Sequence, residues 1–194
     1  MYSAIVTIKG ESDYGHRRPI SETMAAETKD PKVKNERADE KEKRIWKLGI
    51  HTNENGNVII PAFSIMNCIK AAAQRIGMKI PGKGQKTYSK VFGSGVLVLD
   101  AIVLPYRLED IKPWARFVPS DGKPGGGTRV EKYYMKLTEW GGTFEVNILD
   151  DMITEEVFRE HMDYAGKFIG LGIWRPERGG IMGRFSIKKI EFKK

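Results

Sequence analysis

Residues 2–9 place Ile5, Val6 and Ile8 in a near-alternating pattern that predicts a first β-strand. The next stretch, 10–57, is polar and charged. It contains Pro19, Pro31 and the mixed-sign run Asp39-Glu40-Lys41-Glu42-Lys43-Arg44, and is expected to be a solvated insertion with one exposed helix, pinned at its end by Trp46 and Leu48. Asn53-Glu54-Asn55-Gly56 is a turn signal and Val58-Ile59-Ile60 a short buried strand. Pro61 opens a helix in which Ile65, Ile69, Ala72 and Ile76 form one apolar stripe, and Gly77 ends it. Residues 78–95 are expected to be a Gly/Lys/Ser loop, and Val96 to Leu104 a central strand buried on both faces.

Farther on, apolar and aromatic residues flank a Gly/Pro-rich segment at 113–128, and Val130 to Leu137 resumes as a strand, which predicts a projecting hairpin over 113–130. Thr143 to Leu149 is another strand. Thr154, followed by Glu155 and Glu156, caps a helix with Phe158, Met162, Ala165 and Ile169 on its buried side. A glycine-rich loop then leads into a last strand, Arg184 to Phe192. Two core helices among several strands with hairpin connections predict an α+β fold on a split βαβ, ferredoxin-like plan.

Length changes little in this picture: 194 residues, 40% of them hydrophobic, suit one globular domain. No stretch approaches the roughly 18 apolar residues of a membrane span, and the first residues do not read as a signal peptide. Cys68 is the single cysteine, which excludes an internal disulfide and a cysteine-rich zinc site. A cytoplasmic protein without a membrane partner is expected. Charge adds more. The formal net charge is +8, and no acidic residue occurs between Glu54 and Asp100, an interval that holds Lys70, Arg75, Lys79, Lys83, Lys86 and Lys90. A polyanionic partner is the natural expectation.

Three segments carry candidate binding chemistry. The loop from Gly170 to Arg184 is neither a dinucleotide fingerprint nor a P-loop, because a helix precedes it and a strand follows. It offers close backbone approach, Trp174 as a stacking surface, and Arg175, Arg178 and Arg184 for phosphates or bases. The plainer alternative is a twisted connection with Trp174 filling core. The 78–95 loop interleaves Lys83, Lys86 and Lys90 with Tyr88 and Phe92, a composition suited to a nucleic-acid strand or simply to solubility. The hairpin carries Trp114, Arg116, Lys123 and Arg129, and could clamp a strand or meet another subunit. Arg17 and Arg18 follow the first strand.

Catalysis has less support. His16, His51 and His161 stand without partners at metal spacing, and His161 is expected to be exposed. His16, beside Arg17 and Arg18, is a candidate general base for RNA cleavage. Asp150-Asp151 read as helix-start residues. No cofactor is expected.

Two of these segments resemble a known family. Pro61, Ser64 and Ile65 at the start of the helix, and Gly183-Arg184 at the end of the glycine loop, are similar to motifs of the RAMP superfamily, in particular the backbone subunits of CRISPR effector complexes. Ala62, Phe63, Met66 and Asn67 depart from the family's helix start, and Lys70 lies one turn on from the position where a lysine is expected. The resemblance implies an RRM-like palm with a finger-like insertion (10–57) and a thumb-like hairpin (113–130), and subunits stacking along one strand as a homo-oligomer or with other effector subunits. It also implies that Ser64 and Lys70 join the loop cations at nucleic acid, beside Arg75 of the acid-free interval and Arg116 and Arg129 of the hairpin. Some relatives cut RNA with an insertion aspartate, for which Asp13, Asp30 and Asp39 are available. Relatives on mobile elements could instead coat single-stranded DNA. The leading expectation is a non-catalytic single-strand binder; the runner-up is an endoribonuclease.

Overall fold

The computed structural model describes residues 1–26, 36–120 and 127–193. In chain order the elements are β1 (Tyr2–Gly10), α1 (Glu22–Ala26), α2 (Ala38–Ile45), β2 (Asn57–Ile60), α3 (Ala62–Ile76), α4 (Tyr88–Gly95), β3 (Val96–Leu97), β4 (Ile102–Arg107), β5 (Trp114–Pro119), β6 (Arg129–Tyr134), β7 (Gly141–Ile148), α5 (Glu155–Tyr164) and β8 (Phe185–Lys193). The chain forms two compact units. One comprises Met1–Tyr14, Ile59–Leu104 and Leu137–Lys194, the other Gly15–Val58 and Pro105–Lys136. β2 pairs with β4, and the boundary between the units falls within both strands.

The first unit is built on a four-stranded sheet in the order β3-β7-β1-β8, with each pair of neighbours antiparallel. With α3 between β1 and β3, and α5 between β7 and β8, this is the expected ferredoxin-like plan. Alternation along β1 sends Ala4, Val6 and Ile8 inward, with Ala4 opposite Val146 and Val6 opposite Phe144 of β7. The helices cover this face. Ile65, Ile69 and Ala72 of α3 and Phe158 and Met162 of α5 are buried, each large side chain contributing about 2 kcal/mol. Gly77 closes α3 in the left-handed conformation at φ 60°. Thr154 caps α5, its hydroxyl accepting from the Val157 amide at 3.3 Å. A turn of π-helix, Ala165–Ile169, prolongs α5. There Gly166 lets β8 pass, since a Cβ would lie 2.1 Å from the Phe185 carbonyl oxygen.

The second unit joins the insertion to the hairpin. β5 and β6 pair antiparallel with Trp114 opposite Tyr134 and Arg116 opposite Lys132. α2 packs against β6, where Glu42 accepts from the Tyr133 amide at 3.0 Å. Ile45, Trp46 and Ile50 are buried, so Trp46 anchors the insertion as its composition suggested, while Leu48 is only half-buried.

Two expectations about elements are corrected. The segment 96–104 is not a central strand. It divides into the two-residue edge strand β3 and the start of β4, interrupted at exposed Leu99 and Asp100, and β7 and β1 take the sheet centre. The segment 78–95 is not a loop throughout, because its second half is α4, with Tyr88, Val91, Phe92 and Gly95 buried at i, i+3, i+4 and i+7.

Candidate nucleic-acid interface

The acid-free interval folds into a basic corner of the first unit. Past the Gly77 cap, the backbone closes a tight loop: the Ile80 amide donates to the Lys86 carbonyl at 2.9 Å, Lys83 to Ile80 at 3.1 Å, and Tyr88 to Met78 at 3.0 Å. Buried Ile80 pegs the loop, and the Ser89 hydroxyl donates to the Ala73 carbonyl at 3.0 Å, tying α4 to α3. Lys79, Lys83 and Lys86 therefore stand on one ordered loop, with Lys90 just beyond in the first turn of α4; all four are exposed. Arg75 is exposed on the last turn of α3 and Lys70 half-buried on its middle. Among the described residues none of these six cations makes an ion pair. Their field is left uncompensated at close range. Tyr88 and Phe92, expected to stack on bases, are instead core residues: Phe92 is fully buried and Tyr88 nearly so.

The glycine loop folds on itself. Leu171 donates to the Gly183 carbonyl at 2.9 Å, Met182 to Trp174 at 3.0 Å, and Gly183 to Asp13 at 2.7 Å. A Cβ at Gly180 would lie 1.8 Å from the Trp174 oxygen, so this glycine serves the loop's own packing. Trp174 is half-buried at φ 46°, a left-handed conformation costing about 1 kcal/mol or more. Arg175 pairs with Glu177 at 2.6 Å and donates to the Gly172 carbonyl at 3.1 Å. The Arg184 guanidinium is held by the Lys167 carbonyl, while Arg178 is largely exposed, 3.9 Å from Glu177. Arg175 lies close enough to Cys68 to act on its thiol, which burial pushes up to about 12 against that opposing charge. Position 68 precedes Gly77 by nine residues, about 14 Å of helix. The glycine loop thus meets the middle of α3, whereas the lysine loop follows its C-terminal cap. Ser64 is half-buried in the first turn of α3. The sheet face turned away from the helices bears Ser3, Ile5, Thr7, Lys9, Glu145 and Lys189, so it offers no aromatic platform along β1.

In the second unit, Arg17 and Arg18 are structural. Arg17 forks onto both carboxylate oxygens of Glu42 and donates to the Tyr133 carbonyl at 2.6 Å, and Arg18 donates to the Leu48 carbonyl at 2.8 Å. The hairpin is more open. Trp114 is flanked by the Arg116 guanidinium 5.0 Å and the Lys136 ammonium 5.4 Å from its ring centroid, and Lys132 stands opposite Arg116 on the same face. Lys132 and Lys136 are additions to the sequence-derived set; the period-two register with Trp114 is the signal that reaches Lys132. Arg129, on the other face, donates weakly to the Phe117 carbonyl at 3.4 Å. Asp30 and Lys123 lie outside the described residues.

The histidine expectations change most. His16 and His51 do not stand alone: their rings are 4.9 Å apart, and His16 Nε2 accepts from the His51 backbone amide at 2.7 Å. Burial, then the neighbouring His51 and Arg18 charges, hold His16 down at about 3. Buried and with Nε2 occupied, it is poorly placed to take a proton from an RNA hydroxyl. His161 is fully buried rather than exposed, because α4 covers that side of α5. Asp39 pairs with Arg37 at 3.2 Å, and the Asp13 carbonyl is held by Gly183. Among the described residues no group of three or more His, Cys, Asp or Glu side chains could hold a metal ion, and no helix is long and apolar enough to cross a membrane.

No protein-family model and no curated protein matches the chain. Solved structures do. A chain of the Type III-B Cmr-beta assembly, determined by cryo-EM bound to cognate target RNA, superposes with a TM-score of 0.52 at 15% identity. The match covers all of the present chain, which spans 61% of that protein's length. Cmr6 from Pyrococcus furiosus superposes with a TM-score of 0.44 at 12% identity, covering 95% of this chain and 97% of that one. The resemblance to the RAMP superfamily suggested by Pro61, Ser64, Ile65, Gly183 and Arg184 is thus matched by a likeness of fold to a subunit of a CRISPR complex.

Proposed function

We propose that this chain, which has the fold of a RAMP-type CRISPR subunit, binds single-stranded nucleic acid without cutting it, as one protomer of an assembly along the strand. The observation that carries this reading is the α3–α4 corner, with six cations that make no ion pair among the described residues. Charges left uncompensated beside a hydrogen-bonded loop suit a phosphate backbone, because the loop's own backbone needs no ordering on binding. The hairpin face of Trp114, Arg116, Lys132 and Lys136 supplies a second cationic surface with an aromatic ring, suited to a stacked base. Partners on this reading are a single strand of RNA, further copies of the chain and other effector subunits. Arg17, Arg18, Arg175 and Arg184 support the scaffold, leaving contact with the strand to the lysines and to Arg75, Arg116, Arg129 and Arg178.

The test is a titration of labelled RNA and DNA strands of equal sequence across a salt series, with imaging of the complexes. Saturable binding with a fixed number of nucleotides per protomer and a steep salt dependence is expected. Tighter binding of DNA would move the chain to the single-stranded DNA coaters. Cleavage of the RNA, with or without magnesium, abolished by Asp13→Ala or Asp39→Ala, would make it an endoribonuclease. Failure to bind any strand at low salt would end the proposal.

A further inference from the structure

A cleft of about 480 Å³ opens in the second unit between the first turns of α2 and the β5–β6 hairpin. Its walls carry three kinds of group. Phe117 is flat, apolar and 65% exposed. Arg129 and Lys132 are cationic, and Lys132 makes no ion pair among the described residues. Asp39 and Glu131 are carboxylates. Glu42 also lines the cleft, but its charge is matched by Arg17.

The carboxylates are arranged around one phenol. The Tyr133 hydroxyl donates to Glu131 Oε2 at 2.9 Å, and its ionisation is pushed up by burial, by that bond, and by the charges of Glu131, Asp39 and Glu42. The bond fixes the Glu131 carboxylate, and its Oε1 has no hydrogen-bond partner among the described residues. Asp39 is held by Arg37 at 3.2 Å. The cleft therefore combines an apolar plane, an oriented acceptor pair and separate cations.

The geometry points to a site for one guanine nucleotide, which on the function proposed above is a residue of the bound strand. The base lies against Phe117, Glu131 accepts from its N1–H and exocyclic amine, and Arg129 and Lys132 meet the phosphate. A carboxylate offers two acceptors side by side, and only guanine presents two adjacent donors on its pairing edge. Adenine and cytosine each place an acceptor there, facing the carboxylate, and uracil offers a single donor flanked by carbonyl oxygens. The volume is that of a small-ligand pocket rather than of a duplex groove. Phe117, Arg129 and Glu131 belong to the face of the hairpin opposite Trp114 and Arg116, whereas Val130 and Lys132 belong to the Trp114 face. The cleft therefore runs along β6 and shares Lys132 with the stacking surface described above.

The test uses the full chain and polyuridine strands carrying one central guanosine or one inosine, which lacks the exocyclic amine. Anisotropy titration should show the guanosine strand binding about tenfold more tightly. Glu131→Gln should close that gap, weakening the guanosine strand more than the inosine strand because one amide oxygen still accepts from N1–H, and Phe117→Ala, at an exposed position, should weaken both strands. Parallel titrations with GMP and IMP separate the sources: the same preference in the free nucleotides, with affinity equal to or above that of the strand, makes a free nucleotide the ligand. Equal binding of guanosine and inosine strands overturns the guanine site while leaving strand binding intact. If no strand binds, the functional proposal fails and the GMP–IMP comparison alone decides the cleft, equal or absent binding of both overturning it.

Discussion

The His161 imidazole stacks on the Phe92 ring with centroids 4.3 Å apart and planes 19° from parallel. Tyr88 meets the same imidazole edge-on at 6.0 Å, and Nδ1 lies 2.7 Å from the Val157 carbonyl, the donor when that nitrogen carries the proton. Nε2 is buried and has no partner among the described residues. One contact thus joins α4 to α5 and puts a titratable ring in an apolar layer.

That placement sets a pH dependence. Burial depresses the pKa of His161 below its ordinary value, the Val157 bond and the Glu160 charge opposing it only in part. His16 is depressed further, to about 3, again chiefly by burial. Both bind a proton more readily in the unfolded chain, so the stability tied to their neutral forms is complete above about pH 6.5 and is lost as pH falls. For His16 the loss amounts to about 2 kcal/mol by pH 5. Urea unfolding between pH 7.5 and 4.5 should show a falling midpoint, and His161→Leu should flatten the fall. An unchanged slope in His161→Leu would mean that this ring is not buried neutral.

The lysine loop makes a prediction of the opposite kind, with binding changed and stability kept. Lys79, Lys83 and Lys86 are exposed and make no ion pair among the described residues, so changing all three to Gln removes charge without removing packing. If each neutralises one phosphate, the slope of log affinity against log salt should shrink by about 2 for a single strand. The melting temperature should move by no more than a degree or two. Salt-series titrations of the triple variant beside wild type check both numbers, and an unchanged slope would place the strand elsewhere.

Much of the palm was legible because its signals are local. The Ile65-Ile69-Ala72 stripe, Gly77, Thr154 and the Phe158-Met162 stripe each act within a few residues, and each is where the pattern put it. α4 was missed because Gly93 and Gly95 resemble a loop and mask the Tyr88-Val91-Phe92 stripe. That single omission propagated. Without α4, the His161 side of α5 had nothing to cover it, and Tyr88 and Phe92 looked free to stack on bases. Candidate site residues divide in the same way. That Lys83, Lys86 and Lys90 lack ion-pair partners among the described residues was legible from the absence of nearby acids in sequence. Arg17 was not recognisable as structural, because its partner Glu42 lies 25 positions on, a separation that no local pattern encodes.

Arg17 and Glu42 accordingly answer to stability. Their side chains are mostly buried and bonded fork to fork, and Glu42 also receives the Tyr133 amide at 3.0 Å. Removing either partner leaves a desolvated charge and costs about 3 kcal/mol. Arg17→Ala should therefore lower the melting temperature by several degrees and weaken strand binding only in proportion to the unfolded fraction. Thermal melts and titrations below the transition distinguish this from a phosphate contact, which would lose affinity at unchanged stability.

Gly179 and Gly183 of the 170–184 loop share φ +75° yet differ in their surroundings, so they separate backbone strain from close packing. A Cβ at Gly179 would meet nothing within 4 Å, whereas one at Gly183 would lie 1.8 Å from the Leu171 carbonyl oxygen. Gly179→Ala should cost only the left-handed penalty of an alanine, about 1 kcal/mol. Gly183→Ala must also push apart two chain segments joined by the Leu171–Gly183 bond of 2.9 Å, and it strains the Gly183–Asp13 bond of 2.7 Å three residues past β1. Its cost should exceed that of Gly179→Ala by about 2 kcal/mol or more. The comparison is made by chemical denaturation of the two variants in parallel. Equal losses would mean that the loop is open enough to admit a side chain at Gly183, and its glycines would then be better explained by a ligand's close approach than by the loop's own packing.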